Sequence, residues 1–395
     1  MKSDVKKEFL DLGRHPIANA FLQKKDFDNE FLFDLKVCWN GESKLVSIKN
    51  FVEPERIFNE DYPYNTSNSY PMVKHFKDTA EMLNKRFKPK SVLEIGSNDG
   101  PFISNFEKDS SICVEPCDNF AIKTGDMGYK TYTNFWTTQL SDKIINDNGK
   151  KDLIYSANCI CHIQDLDDAF SAVANLLSDD GVFVFEDPSL LRILERGSYD
   201  QIYDEHPHIF SVTALDNLLR RNGLKIVSVE NLDVHGGSNR IFAAHADIGI
   251  VEDSVGYEKK KEDDFGINKF ETYEIFAKRV QESKENLLRC LRDLKQNGKR
   301  IMCIGATAKS TTVFNYCGIG TDLIDVITDT TTDKQNTFAP GSHIPILSPD
   351  EVDLNDYDYV YLGAWNFKDV IMNNEKEFIK NGGKFITHVP EVTTF

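Results

Sequence analysis

A phenol, two carboxylates and an imidazole stand side by side at Tyr203-Asp204-Glu205-His206. An imidazole titrates near neutral pH, and a neighbouring carboxylate can orient the ring and raise its basicity, so the segment offers a general base. His206 is the candidate base, Glu205 its orienting partner and Tyr203 a second proton-transfer group. The alternative for the same residues is a polar surface loop. His162, in Ala157-Asn158-Cys159-Ile160-Cys161-His162, reads on its own as a structural histidine. It becomes a candidate because it follows the strand-like run Leu153–Ser156, and residues just past strand ends in a doubly wound sheet face the ligand crevice.

A second constellation is the loop Leu93-Glu94-Ile95-Gly96-Ser97-Asn98-Asp99-Gly100, which leaves an apolar strand and turns towards a helix. Gly96 and Gly100 let the backbone approach a ligand closely. Glu115 ends the next strand, where it can accept hydrogen bonds from both hydroxyls of a ribose. The dinucleotide fingerprint G-x-G-x-x-G is absent, since Ser97 and Asn98 follow Gly96. A loop with fewer glycines suits an adenosine ligand without a pyrophosphate, such as S-adenosylmethionine. Further on, Gly305-Ala306-Thr307-Ala308-Lys309-Ser310 lacks the G-x-x-x-x-G-K-[ST] spacing of a triphosphate loop. Arg240, after Gly236-Gly237, can be read as an anion contact or as a structural salt bridge.

The elements that must position these groups are those of an α/β chain. Strands expected at Ser91–Ile95, Ser111–Glu115, Leu153–Ser156 and Val182–Glu186 alternate with helical patterns, which implies a parallel sheet with helical crossovers. Apolar residues from Ile267 through Phe270, Tyr273, Phe276, Val280, Leu287 and Leu291 to Leu294 recur at helical spacing, with Gly298 placed to end the helix. After it, Arg300–Gly305, Asp325–Thr328 and Tyr359–Leu362 announce a second α/β unit. The mixed-charge run Glu258–Asp264 reads as a solvated linker or helix end, and the residues before about 75 read as irregular with short strands. The length of 395 residues suits two or three domains. A formal net charge of −17 gives no basic footprint for a nucleic acid. No apolar run is long enough for a membrane span. The opening Met1-Lys2-Ser3-Asp4 leads into no apolar segment, so a cytoplasmic protein without a secretory signal is expected. The eight scattered cysteines read as free thiols and show no paired zinc spacing.

These motifs resemble, in order, those of the deoxysugar C-methyltransferases that act on nucleotide-linked 4-keto sugars. The likeness rests on Asp11-Leu12-Gly13 with Pro16 and Ala18-Asn19-Ala20-Phe21, Asp61-Tyr62-Pro63-Tyr64, Gly96–Gly100, Cys161-His162-Ile163 and Tyr203–His206. It continues through His235-Gly236-Gly237-Ser238-Asn239-Arg240, Asn315–Gly320 and Trp365-Asn366-Phe367. It implies a small N-terminal module at 1–75 and a central class I, Rossmann-like S-adenosylmethionine domain at 76–245. A helix plus a C-terminal Rossmann-like domain at 246–395 would then close over the sugar nucleotide. It also implies Tyr64, His162, Tyr203, Glu205 and His206 around the sugar, and cofactor contacts from Glu94, Gly96, Ser97, Asn98, Gly100, Glu115, Asn134, Phe135 and Asn158. Substrate contacts would come from Tyr62, Arg240 and Lys309, the last near a diphosphate of dTDP or GDP type. The chemistry suits such a set, because the proton beside a ketone needs a base and its enolate oxygen needs stabilisation.

Two departures from the family pattern stand out. The family's N-terminal module usually binds zinc through two cysteine pairs, whereas here Cys38 is the only cysteine before Cys113, so no structural zinc is expected. Asp204 stands where a histidine is usual, and Pro207-His208 follows His206, which could bring His208 to a different sugar substituent. The alternatives to sugar C-methylation are O- or N-methylation with the same cofactor loop, and a non-catalytic sugar-nucleotide-binding protein.

Overall fold

The structure, a computed structural model, describes residues 6–395. Its strands form three sheets. The central sheet has seven strands: Val92–Ile95, Ser111–Val114, Lys130–Tyr132, Lys151–Ala157, Leu177–Pro188, Leu224–Leu232 and Ser238–His245. Numbered in that chain order, they lie side by side as 6-7-5-4-1-2-3. The first five run parallel, and Ser238–His245 is antiparallel to both its neighbours. Val92-Leu93-Glu94-Ile95 is buried along its whole length, as a strand covered by helices on both faces must be. Strand order reverses between Val92–Ile95 and Lys151–Ala157, and the crevice beyond that switch point is where an open α/β sheet binds its ligand.

The C-terminal sheet is also mainly parallel, with Ile301–Ile304 at its centre between Ile327–Thr328 and Tyr359–Leu362. The helix Phe270–Gln296 leads into it, and its buried stripe of Tyr273, Phe276, Val280, Leu287 and Leu291 confirms the expected periodicity. The N-terminal residues are more regular than expected. Lys6–Pro16, Leu32–Asn40 and Val46–Ile48 form an antiparallel sheet, joined by His208–Ile209 from just after Tyr203–His206. The charges in Lys6–Pro16 and two register shifts in its pairing break the alternation that would have announced an 11-residue strand.

One other expectation needs correction. The boundary placed at 75/76 falls inside helix Tyr70–Phe87, which belongs as a whole with the central sheet. The charged run Glu258–Asp264 takes the second of its two expected readings, the end of a helix, Asp253–Phe265, rather than a linker. Its Glu262 is buried and accepts the Val212 and Thr213 amides at 2.6 and 2.8 Å, at the start of helix Val212–Arg221. An anion there satisfies orphan amides and the helix dipole together. All eight cysteines are free. No helix among the described residues is long and apolar enough to cross a membrane.

Candidate active site

A cavity of about 610 Å³ opens over the switch point and is walled by all three sheet regions. Its cofactor end is built by the loop after Val92–Ile95. Gly96 has φ +72°, and a Cβ there would sit 2.6 Å from Cys159 Sγ and 2.8 Å from its Cβ. Glycine is therefore required so that the loops after strands 1 and 4 can touch, a reason that stands beside the close ligand approach expected. Asn98, itself at φ +47°, donates its amide to Glu115 Oε2 at 2.7 Å, and Cys117 donates to Oε1 at 2.9 Å. One lone pair on each oxygen is left for a ribose hydroxyl. Burial pushes the Glu115 carboxyl up, opposed by those two amides. Ser97 Oγ is buried without a hydrogen-bond partner among the described residues. This glycine-enforced loop, an unpartnered hydroxyl and a half-engaged carboxylate fit an adenosyl ligand. Glu94, Asn134, Phe135 and Asn158 line the same space. Gly100 does not: a Cβ there would meet Thr124 and Met127, so it serves packing against helix Asp118–Asp126.

The same cavity holds the candidate acid–base groups together. His206 Nδ1 lies 2.7 Å from the Gln201 carbonyl oxygen. A carbonyl can only accept, so Nδ1 carries the hydrogen and Nε2 carries the lone pair of the neutral ring. That Nε2 is 3.0 Å from the Tyr203 hydroxyl. Burial first, and then the Lys309 cation, lower His206 to about 3, with the Gln201 carbonyl opposing. The ring is thus a neutral acceptor across the physiological range. His162 stacks on it with centroids 5.2 Å apart, and Phe58 covers the other side of His162 at 5.3 Å. His162 Nε2 has no hydrogen-bond partner among the described residues. Tyr64 lines the cavity with 36 % of its surface exposed.

Glu205 is not the orienting partner of His206. Its carboxylate accepts from Tyr62 Oη at 2.8 Å and from Asn19 Nδ2 at 2.5 Å, both in the N-terminal region. Adjacent residues in this tight turn point apart, so the imidazole is oriented by a backbone carbonyl instead. Asp204 likewise accepts the Ala18 amide at 2.9 Å. His208 is buried between Ser47 and the Gln164 carbonyl, at 2.9 and 3.1 Å, and lies outside the cavity wall. It meets no sugar substituent.

The two basic candidates separate. Lys309 lines the cavity and makes no hydrogen bond or ion pair among the described residues. Burial lowers its pKa, while Asp200 and Glu205 favour its charge. Arg240 lies outside the cavity. Its guanidinium is held by Glu186 at 2.8 Å, Glu230 at 2.8 Å and Thr79 at 2.6 Å. It is a structural salt bridge, because a buried arginine fork already matched to carboxylates has no donor face left for a phosphate. Sequence reasoning missed Lys334, which lines the cavity and donates to the Ala306 carbonyl at 2.8 Å; no motif surrounds it. It also missed the roles of Asn19, His235, Asn366 and Phe367 as cavity residues, although each stands inside a motif quoted for the resemblance.

Residues 233–390 match the family described as "C-methyltransferase C-terminal domain", residues 72–229 "Methyltransferase domain", and residues 2–58 "Putative zinc binding domain". The chain is 32% identical over 396 aligned residues to the C-methyltransferase NovU of Streptomyces niveus, covering 97% of this chain and 93% of that one. Among solved structures it is similar to an S-adenosylmethionine-dependent methyltransferase from Clostridium acetobutylicum. That likeness has 15% identity, TM-score 0.33, and covers 44% of this chain and 92% of the other. It is also similar to the CcbJ methyltransferase from Streptomyces caelestis, with 11% identity, TM-score 0.34, and 43% and 89% covered.

The donors present within 2–58 do not fit a structural zinc. Cys38 is the only thiol there, buried in a strand between Glu8 and Ser47. His15 bonds the Leu12 carbonyl at 3.0 Å, and Glu8 and Asp11 pair with Lys49 and Lys36. A structural zinc needs about four converging N or S ligands. A chelator wash should leave the melting temperature unchanged, with well under one equivalent of zinc per chain by plasma mass spectrometry. One tightly held zinc per chain would contradict this reading. Elsewhere, Cys161, His162 and His206 bring one donor atom each within 4.8 Å of one another. Both His206 nitrogens are already hydrogen-bonded, so the trio is better described as part of the acid–base cluster.

Proposed function

This chain belongs to the S-adenosylmethionine-dependent C-methyltransferases, and from that premise we propose that it methylates the carbon beside the ketone of a nucleotide-linked 4-keto deoxysugar. The observation that carries this reading is His206, held neutral with Nε2 unprotonated in the same cavity as the Gly96 loop. O- or N-methylation needs no base for a carbon-bound proton. Removal of such a proton does, and His206 is the neutral acceptor in reach.

The cofactor, held by Gly96, Ser97, Asn98, Glu115 and Asn158 with Glu94, Asn134 and Phe135 around it, supplies an electrophilic methyl group when bound. The chain's own residues do the rest. His206 takes the α-proton at Nε2 when the Tyr203 hydroxyl bonded to that nitrogen gives way to the sugar, and Tyr203, passing its own proton to Nε2, is the second candidate for the same step. Tyr64 and His162 hold the sugar and the developing enolate oxygen, since oriented donors act most strongly where charge appears. Glu205 fixes Tyr62 and Asn19 at the sugar. Lys309, with Lys334 lining the same cavity, faces the diphosphate. An anion bound there offsets one of the two influences that hold His206 acidic, so substrate binding itself raises the basicity of the base. Position C3 beside a C4 ketone, and dTDP or GDP as carrier, are the substrate features implied by the family resemblance. The NovU relative is a C-methyltransferase in its own name.

The test is incubation with labelled S-adenosylmethionine and a panel of 4-keto nucleotide sugars, with mass spectrometry of the products. A carbon-methylated sugar is the expected result. Methylation on oxygen or nitrogen, without solvent deuterium entering the sugar, would refute the proposal.

A further inference from the structure

The side chain that orients a catalytic histidine is normally sought among its neighbours in the motif. Here the orienting group is the Gln201 carbonyl, and Gln201 is bracketed by residues tied to the C-terminal domain. On one side, Asp200 is fully buried in the turn Tyr199–Gln201, and its Oδ2 accepts from Trp365 Nε1 at 2.5 Å. On the other, the Ile202 carbonyl accepts from Thr312 Oγ1 at 3.3 Å, in helix Ala308–Cys317. Trp365 also packs where only a glycine leaves room. A Cβ on Gly236 would lie 2.7 Å from Trp365 Cη2 and 3.2 Å from Gln201 Nε2. The next two residues after Trp365, Asn366 and Phe367, line the cavity.

We propose that Asp200 and Trp365 are positioning residues that make the C-terminal domain part of the relay setting the tautomer of His206. Within the turn Tyr199–Gln201 the Gln201 amide bonds the Ser198 carbonyl at 3.3 Å and the Ile202 amide the Tyr199 carbonyl at 3.0 Å, and the Asp200–Trp365 bond is the anchor that ties this turn, and with it the Gln201 carbonyl, to the C-terminal domain. With the carbonyl in place, His206 carries its hydrogen on Nδ1 and keeps Nε2, which faces the Tyr203 hydroxyl, as a proton acceptor. With the carbonyl displaced, the ring loses the bond that distinguishes its two nitrogens, and part of the population carries its hydrogen on Nε2, where it cannot accept a proton. A domain that supplies cavity residues through Asn366 and Phe367 thereby also switches the base into its working form.

Other charged and titratable groups face Asp200. His388 Nε2 is 3.7 Å from Oδ2, with its Nδ1 bonded to Tyr361 Oη at 2.8 Å, and Lys309 senses the same carboxylate from the cavity side. Only Trp365 donates a hydrogen bond to that carboxylate among the described residues.

The inference rests on His206 being the base, and its test has a readout independent of that reading. With [15N]histidine labelling, the nine histidines can be observed by long-range 1H–15N correlation, and His206 identified by comparison with His206→Ala. The wild type should show a single Nδ1–H tautomer for His206. Trp365→Phe and Asp200→Ala should show a mixed tautomer, and kcat should fall about 10- to 100-fold, the scale seen when an outer-shell partner of a functional histidine is removed. KM for S-adenosylmethionine should stay within about twofold, as the cofactor loop is untouched. Asp200→Asn keeps an acceptor for Trp365 and should retain both the tautomer and most of the rate. A folded Trp365→Phe with the wild-type tautomer would overturn the relay, and so would Asp200→Asn as damaged as Asp200→Ala. Should Trp365→Phe not fold, the Asn and Ala variants of Asp200 decide the matter by the same spectrum. If the tautomer mixes while His206→Ala still exchanges the α-proton, the relay stands and the assignment of the base is what fails.

Discussion

His206→Ala should lower exchange of the sugar's α-proton with solvent, and methyl transfer with it, by about 10²- to 10⁴-fold, the range for losing a positioned general base. Affinity for S-adenosylmethionine should hardly change, because the imidazole bonds Gln201 and Tyr203 and makes no hydrogen bond to the Gly96–Gly100 loop among the described residues. Tyr203→Phe should cost less if the phenol only supports Nε2, and as much if it is the group that touches the carbon acid. Deuterium uptake measured without cofactor separates proton removal from methyl transfer. Wild-type exchange in both variants would end the assignment. The pH profile gives an independent check. Burial and Lys309 lower His206 to about 3, so a fall in pH protonates it only far below the ordinary imidazole range. The acid limb of kcat/KM should therefore lie below pH 5 rather than near 6.5. Lys309→Ala removes the cation that disfavours the imidazolium, which should move that limb to higher pH while weakening the nucleotide sugar.

How much of this was legible in the sequence depends on the range of the contact. The strand at Val92–Ile95, the loop after it and Glu115 were readable because each is a local signal, an apolar run followed by a turn or a strand end. Tyr359–Leu362 was placed to the residue for the same reason. The long helix Phe270–Gln296 announced itself by periodicity. The relations between His206 and its partners were not readable. Glu205 stands next to it in sequence yet reaches Asn19 and Tyr62, while the true anchor is a main-chain carbonyl, which no residue type advertises. Arg240 shows the converse. Its glycine-rich approach suggested an open anion site, and only the partners Glu186 and Glu230, brought in from other strands, reveal a closed salt bridge. Lys334 sits in a polar stretch without a motif, and folding alone brings it to the cavity.

Gly96→Ala should weaken S-adenosylmethionine binding about 100-fold, although it adds a single methyl group. Two costs combine. A non-glycine residue in the left-handed region costs about 1–2 kcal/mol, and Gly96 has φ +72°. Overpacking adds about 1–3 kcal/mol more, because the new Cβ would meet Cys159 Sγ at 2.6 Å and Cys159 Cβ at 2.8 Å. Something must move, and the candidates are the two loops that frame the cofactor. Either displacement strains a bond that shapes the site, Asn98 N to Glu115 on one side or Asn158 N to the Glu186 carbonyl at 2.7 Å on the other. The two contacts also predict an order of rescue. Cys159→Ala in the Gly96→Ala background removes only the sulfur and should restore little. Cys159→Gly removes both atoms and should restore most of the loss, leaving the part due to φ, about tenfold. Gly125→Ala is the control: it lies in helix Asp118–Asp126 with nothing within 4 Å of a new Cβ, so it should leave binding alone and add helix stability. Calorimetric titration of the five proteins with S-adenosylmethionine tests the series. Wild-type affinity in Gly96→Ala, or equal rescue by alanine and glycine at 159, would show that the contact between the two loops does not shape the cofactor site.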